Sequence, residues 1–552
     1  MIIDYFSKKA AAKAVTICGA AIFFFASYTA AYAGEPEVWF APMDHVIRPE
    51  IGGGGAADYM DLFRPHAPWS KAASHIKVFK LYPQFFIQAS DQDLQTVIAN
   101  LRVRNIGLAI EYGMVTPGAG CGRGEGYDGT APAIAARIKK LGGDLKYIFM
   151  DEPLWFGHYS SLPVAGYKAC RSSVEEIAKN VANNIKAVRT IFPSVKVGDA
   201  EPIGNQEPSD WEQQISTWLA AYQKAVGEPL AFFSADIAWD GPWQNHLIDL
   251  TTRLHQAGIP VGFIYNSNPL PTGIEWVRHA EEHFVAIESM MGLLPDLVFI
   301  QTWNLQPDHV LPETTYGTMT NLVDRYFAQP SRLIVTSYQG AQMNLSGRLA
   351  GATNDLPITN ANVEITALDN GNAQSFEETR NFKGSVPSGA TYAVLGLRLD
   401  TECNCTAPAE VTLGTIHYHD MNSEQTTEYL FVSPQGDQHF IADENHAVLI
   451  NSPAFPVTVG DHFEINVPMK TAPTSWVSGY VGIMFLDRHN KEIMRNEIEV
   501  RRGMKTIGSS FTDALGHFSF QVPVEVARRH PEYRIYFAGN TQYRTTWATL
   551  AK

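Results

Sequence analysis

Cysteine is scarce in this chain, five residues in 552, and positive charge is outnumbered. Forty-two Lys and Arg stand against 57 Asp and Glu, a formal charge of −15. Such a chain repels phosphate backbones and anionic lipid surfaces, so nucleic acid and the membrane surface are excluded as partners. Paired C-x-x-C sequences for zinc are missing, and Cys403-Asn404-Cys405 is too cramped for a relaxed bridge. A phosphate-cradling loop is missing too: Gly52 to Gly55 lack the G-x-G-x-x-G spacing and no GK[ST] follows. They read instead as a flexible loop. Nothing in the sequence asks for a cofactor or a metal.

Long apolar runs are confined to the first residues. Lys8, Lys9 and Lys13 form a basic stretch, Val15 to Ser27 an apolar one, and Ala31-Tyr32-Ala33 a small-residue cleavage site before Gly34. This is the pattern of a cleaved signal peptide over 1–33, so the mature protein is expected to be secreted or periplasmic with no stable membrane insertion. Cys18 leaves with it, and the even remainder permits disulfides in an oxidising compartment. Cys121 and Cys170, in two successive loops, are able to pair.

What is abundant is ordinary globular material, 45% hydrophobic and 18% charged, with 11 Trp that suit stacking on flat ligands such as sugar rings. From Glu37 to Phe327 short apolar runs alternate eight times with helical patterns. The runs begin at Glu37, His75, Ile106, Leu145, Val195, Leu230, Ile259 and Asp296. Helices are expected over Asp91–Asn105, Ser173–Phe192 and Ser209–Val226, the first capped by Ser90. Strand–helix alternation implies a parallel sheet, and eight units in about 290 residues is the size of a (β/α)8 TIM barrel. An open doubly wound sheet is the alternative.

After about Gln329 the texture becomes all-β, with alternation at Leu345–Leu349, Ala361–Ala367 and Ser510–Val522. SGRLAG and ITNANVEITALD resemble the opening of a transthyretin-like sandwich, FTDALGHFSFQVP and YRIYFAGNTQY its closing half. The expected division is therefore 34–329 for the barrel, 330–369 plus 500–552 for a split sandwich, and 370–499 for an inserted one. The inserted part resembles the jelly-roll modules that accompany polysaccharide enzymes, which implies carbohydrate binding.

In a TIM barrel the reacting groups sit where strands end. Those ends carry Asp44-His45, Lys80 and Tyr82, Glu111-Tyr112, Asp151-Glu152-Pro153, Asp199 and Glu201, Asp236 with Trp239, Tyr265 with Asn266 and Asn268, and Trp303-Asn304. Carboxylates with aromatics suit glycosidic hydrolysis, which needs one protonated carboxyl, one ionised carboxylate and flat rings for the sugar. Candidate catalytic residues are Glu152, Asp151, Glu201 and Asp236. Candidate substrate contacts are Glu111, Tyr112, Trp155, Trp239, Tyr265, Asn266, Trp303 and Asn304.

YIFMDEP resembles the Asn-Glu-Pro ending of strand four in the large clan of retaining glycosidases, which implies Glu152 as proton donor. Two departures stand out: Asp151 replaces the Asn, and strand seven ends in Tyr265-Asn266-Ser267-Asn268 without the clan's nucleophilic Glu. Asp151-Glu152 with Tyr265 and Trp303 also resembles the substrate-assisted hexosaminidases, which implies that Asp151 orients a 2-acetamido group. Alternatively Glu201 or Asp236 supplies the second carboxylate.

The expected function is thus a secreted glycoside hydrolase acting on a polysaccharide or oligosaccharide. A non-catalytic carbohydrate-binding protein on a degenerate barrel is the alternative, and a metal hydrolase built on His45, Glu111 and Asp236 ranks below both. His279-Ala280-Glu281-Glu282-His283 matches H-x-x-E-H but falls on a helix outside the barrel, where a solvated face is expected.

Overall fold

The computed structural model describes residues 35–552 except 47–54, 160–167, 205–209, 340–342, 369–375, 401–408, 443–447, 472–477, 489–491, 500–503, 525–531 and the single positions 240, 242, 269, 271, 388, 434 and 552. The expected signal segment and Cys403 and Cys405 lie outside the described residues. Among those described, no helix is long and apolar enough to cross a membrane.

All eight apolar runs form strands: β1 (Glu37–Ala41), β2 (Ile76–Leu81), β3 (Gly107–Tyr112), β4 (Leu145–Asp151), β5 (Lys196–Ile203), β6 (Phe233–Ile237), β7 (Val261–Tyr265) and β8 (Leu297–Gln301). They pair in parallel and in order, and β1 closes on β8. The fold is a closed (β/α)8 barrel, not an open sheet. Because a strand turns successive side chains to opposite faces, one row of each strand fills the interior and the other meets the helices. Trp39, Val78, Ala109, Phe149, Ala200, Phe232, Ile264 and Phe299 share the inner core. Trp39 lies 5.0 Å from Phe232 and 5.1 Å from Phe299, ring centre to ring centre. These rings need space. A Cβ added at Gly198 would come within 2.1 Å of the Phe232 ring, and one at Gly262 within 2.2 Å of Phe299.

The surrounding helices start where capping side chains are available. Ser90 accepts from the Asp93 amide at the start of Asp91–Val103, and Ser173 with Glu176 forms a capping box for Val174–Arg189. The third expected helix spans Trp211–Val226 and stops at Gly227, whose φ of 90° suits a left-handed cap.

Beyond the barrel, Ser331–Gln339, Met343–Gly351 and His517–Val522 form one sheet. Asn362–Leu368, Met504–Phe511, Glu532–Phe537 and Thr546–Ala551 form another. Leu345, Val363, Ile365, Phe518 and Ile535 pack in one core, so the two distant stretches of chain build one sandwich. The intervening strands, from Phe376–Ser385 to Glu492–Glu499, form two further sheets around a separate core that includes Leu395, Leu397, Tyr418, Phe463 and Phe485. Ser510–Val522, expected as one alternating run, is broken. The Asp513 carboxylate accepts from the Leu515 and His517 amides, and the turn sends the two halves to different sheets.

A second correction concerns the helix Gly273–Phe284, which carries His279 to His283. Its face is not solvated but covered by the first sandwich. Glu281 is fully buried, paired with Arg325 (Nε to Oε2, 2.9 Å), and accepts from the Thr545 amide at 2.7 Å. Arg325 also donates to the Tyr543 carbonyl, and Arg534 pairs with Glu282 at 2.9 Å. Hydrogen-bonded, desolvated pairs of this kind hold only while both partners are present. Arg325→Met leaves Glu281 buried without its cation. The expected loss is about 3–5 kcal/mol, read as a lower midpoint of urea unfolding, with proteolytic release of the C-terminal sandwiches at denaturant concentrations that leave the parent intact.

Candidate active site

Above the aromatic plug, the inward row is polar on β2, β3, β4 and β8 at the next inward position and on β6 one alternation further, beyond buried Ser234. These are Lys80, Glu111, Asp151, Asp236 and Gln301. Lys80 is fully buried. Its ammonium pairs with Glu111, donates to the Gln301 side-chain oxygen, and lies 3.9 Å from the centre of the Phe149 ring. The three directions of an ammonium are thereby committed. Burial pushes the Lys80 pKa down while the Glu111 carboxylate opposes that shift.

Asp151 ends β4, and the chain then turns through Glu152 with φ of 48°, the left-handed region that a non-glycine residue seldom occupies. Two contacts hold the turn. The Glu201 carboxylate accepts from the amides of Leu154 and Trp155 at 2.7 and 3.0 Å. Gly126 lies so close that a Cβ there would meet the Glu152 carbonyl at 2.8 Å. Glu152 itself is only 9% exposed. Among the described residues, no protein hydrogen bond or ion pair reaches the side-chain carboxyls of Asp151, Glu152 or Asp236. The charges acting on them are chiefly one another, Glu125, Glu111, Glu201 on Glu152 and, on Asp151 and Asp236, Lys80.

Burial first, and then these neighbouring carboxylates, push Asp151 and Glu152 well above the usual carboxylate range. Asp236 is raised to about 7, again chiefly by burial. Lys80 counteracts the shift for Asp151 and Asp236 and is not among the main influences on Glu152.

The structure therefore brings Glu111, Asp151, Glu152 and Asp236 together. Around the rim, Trp239 stacks on His283 at 3.6 Å and donates to the Asn266 side chain. Asn304 donates to the Ser267 carbonyl, and half-buried Trp303 packs on Met43 and Tyr82. Four expected site residues lie elsewhere. On β5, Ala200 occupies the inward row, so Glu201 faces out and braces the turn after Glu152 instead of reaching the interior. Tyr112 also faces out, its hydroxyl on Thr130. Trp155 packs edge-to-face on Trp211 in the outer core. Tyr265 is fully buried there and donates to Glu288 at 2.8 Å. Asp199, on the same outward row as Glu201, accepts from the Trp218 indole at 2.6 Å.

Lys80, Gln301 and Glu125 are additions to the expected set. The first two share strand parity with Glu111 and Asp151, a signal present in the sequence. Glu125 sits in the Gly-rich loop after β3, where no periodicity marks it. That loop is tied to the one after β4 by the disulfide Cys121–Cys170, with Cα atoms 5.0 Å apart. Among the described residues no group of three His, Cys, Asp or Glu is disposed to hold a metal ion.

No protein-family model matches the chain, and no curated protein does. Solved structures similar to it include BuGH86wt in complex with neoagarooctaose, with 10% identity and a TM-score of 0.32 over 79% of this chain and 97% of that one. An α-L-arabinofuranosidase from Thermotoga maritima has 12% identity and a TM-score of 0.30 over 79% and 96%. The carboxyl transferase domain of Rhizobium etli pyruvate carboxylase has 13% identity and a TM-score of 0.30 over 48% and 40%. Likeness at this level says nothing of the site.

The electrostatics make a direct claim about stability. A carboxyl whose pKa is higher folded than unfolded binds more protons in the native state between the two values, so stability falls as pH rises through that window. For Asp236 the window runs from the ordinary value of 3.8 to about 7. The midpoint of urea unfolding is expected to fall from pH 4 to pH 7, and Asp236→Asn to flatten part of that slope. An unchanged slope in the variant would show that Asp236 titrates normally.

Proposed function

We propose that the barrel is a glycoside hydrolase that cleaves an oligosaccharide or polysaccharide at the C-terminal ends of its strands. The observation that carries this reading is the set of three inward carboxyls, Asp151, Glu152 and Asp236, that no group among the described residues hydrogen-bonds. Buried acceptors are ordinarily satisfied within the protein, and a cluster left open at the mouth of a barrel is available to a ligand. Hydrolysis of a glycosidic bond requires two carboxyl groups of different protonation, and their surroundings differ in the required sense.

Glu152, buried and surrounded by other carboxyls, stays protonated and gives its proton to the departing glycosidic oxygen. Asp236 titrates near neutrality and is drawn down by Lys80, so it serves as the ionised partner that stabilises positive charge at the anomeric carbon or activates the incoming water. Lys80 and Glu111 form the charged floor beneath both. Trp239 and Trp303 supply flat faces at the rim for the sugar rings. The inserted sandwich presents or binds the polymer, and the protein works outside the cytoplasm after removal of residues 1–33.

One observation favours the alternative of a non-catalytic carbohydrate-binding protein: the rim of β7 holds Asn266 and no carboxylate. The two readings part on a reducing-end assay over a panel of polysaccharides. The hydrolase reading expects release by the parent protein and a loss of about 10²–10⁴-fold in kcat for Glu152→Gln, with Asp236→Asn similarly impaired. Full activity in Glu152→Gln would remove Glu152 as the acid. Heat of binding without any reducing ends from the parent would favour the binding protein.

A further inference from the structure

We propose that the barrel mouth receives a sugar unit bearing a free amine, its ammonium group seated among the side chains of Asp151, Glu152 and Asp236. This rests on the glycosidase reading and names the class of saccharide it acts on. Three features of the site lead there.

The first is the imbalance of charge. Glu111, Glu125 and Asp236 act on Asp151, and Asp236, Glu125, Asp151 and Glu201 on Glu152, while Lys80 is a cation that acts on Asp151 and Asp236 but is not among the main influences on Glu152. Lys80 is already spent on Glu111, Gln301 and the Phe149 ring beneath the site. A uronate or a sulfated sugar would add negative charge where the protein already has a surplus.

The second is the unsatisfied state of Glu152. The residue is only 9% exposed, and among the described residues no group hydrogen-bonds its carboxyl. The strongest charge on it is that of Asp236, with Glu125 and Asp151 next, so the carboxyl faces the cluster. Even when protonated it keeps an acceptor oxygen open to a donor from outside the chain.

The third is the match of donors to acceptors. An ammonium offers three donors with a full positive charge, which draws the protons off Asp151 and Asp236 and leaves them acceptors, while protonated Glu152 accepts through its other oxygen. A 2-acetamido group brings one donor, an acceptor and no charge. A sugar hydroxyl satisfies an acceptor without relieving the repulsion among the carboxylates.

Binding is measured by titration calorimetry at pH 6.5 and low salt in the parent protein, which keeps all three carboxyls, and in Glu152→Gln, in which turnover is removed. The probes are short oligomers of glucosamine and of galactosamine, their fully N-acetylated counterparts and an oligogalacturonate. At least one amine-bearing oligomer is expected to bind tenfold or more tightly than its N-acetylated form, with no binding of the uronate. Raising the salt to 0.5 M should weaken the amine-bearing probe severalfold and leave the acetylated one unchanged. Asp151→Asn with Asp236→Asn should bring the two within threefold, and the salt dependence supplies the same test in chain that keeps both residues. Equal binding of acetylated and free-amine oligomers, preference for the uronate, or no binding of either amine-bearing probe overturns the proposal. The glycosidase reading fails separately, if the parent protein releases no reducing ends from any saccharide, the amine-bearing ones included.

Discussion

The whole site depends on one packing constraint. A closed eight-stranded barrel has a single interior, and here Trp39, Phe149, Phe232 and Phe299 fill its lower part. Gly198 and Gly262 leave space for two of those rings. With the floor solid, the next inward positions have only the barrel mouth to face, and polar side chains occupy them. Lys80 is tolerable in that layer because Glu111, Gln301 and the Phe149 ring engage it on separate sides. A buried ammonium missing one of these partners would lose its proton or destabilise the fold.

Around this layer the chain spends interactions on holding one residue in an unfavourable conformation. Glu152 has a positive φ, and Glu201 on the next strand fixes the amides that follow it. The Cys121–Cys170 bridge joins the two loops that carry Glu125 and Glu152. Among the described residues, the carboxyls at the centre have no such help from hydrogen bonds. The protein thus places rigid backbone beneath side chains whose protonation is left to their mutual repulsion and to burial, an arrangement suited to acid–base work.

The same logic of paired burial joins the barrel to the first sandwich. Glu281 and Glu282 are acids on a barrel helix, and they are held by Arg325 and Arg534, the second of which lies on the sandwich. His283, on the same helix, stacks on Trp239 and contacts the Asn266 carbonyl. The rim of the site is therefore in direct contact with an element that the sandwich covers, and loosening that interface has a short physical route to Trp239.

The eight-fold alternation of apolar runs and helical patterns was enough to determine the barrel and the strand ends at which Glu111, Asp151, Glu152 and Asp236 appear. Both are consequences of local period, which a sequence carries openly. The split of the first sandwich was read differently, from the resemblance of SGRLAG and ITNANVEITALD to the opening of a transthyretin-like sandwich and of FTDALGHFSFQVP and YRIYFAGNTQY to its closing half. Which carboxylate at a strand end faces the interior was legible only in part. Parity separates Lys80, Glu111 and Asp151 from Tyr112 and Glu201, but parity has meaning only once the start of each inward row is set by the packing of Trp39 against Phe232 and Phe299. The fate of Tyr265, drawn outward to Glu288, and of Glu281 and Glu282, covered by arginines from 40 or more positions away, was not legible at all. Those placements come from contacts between distant segments, which local sequence does not encode and which only the tertiary structure decides.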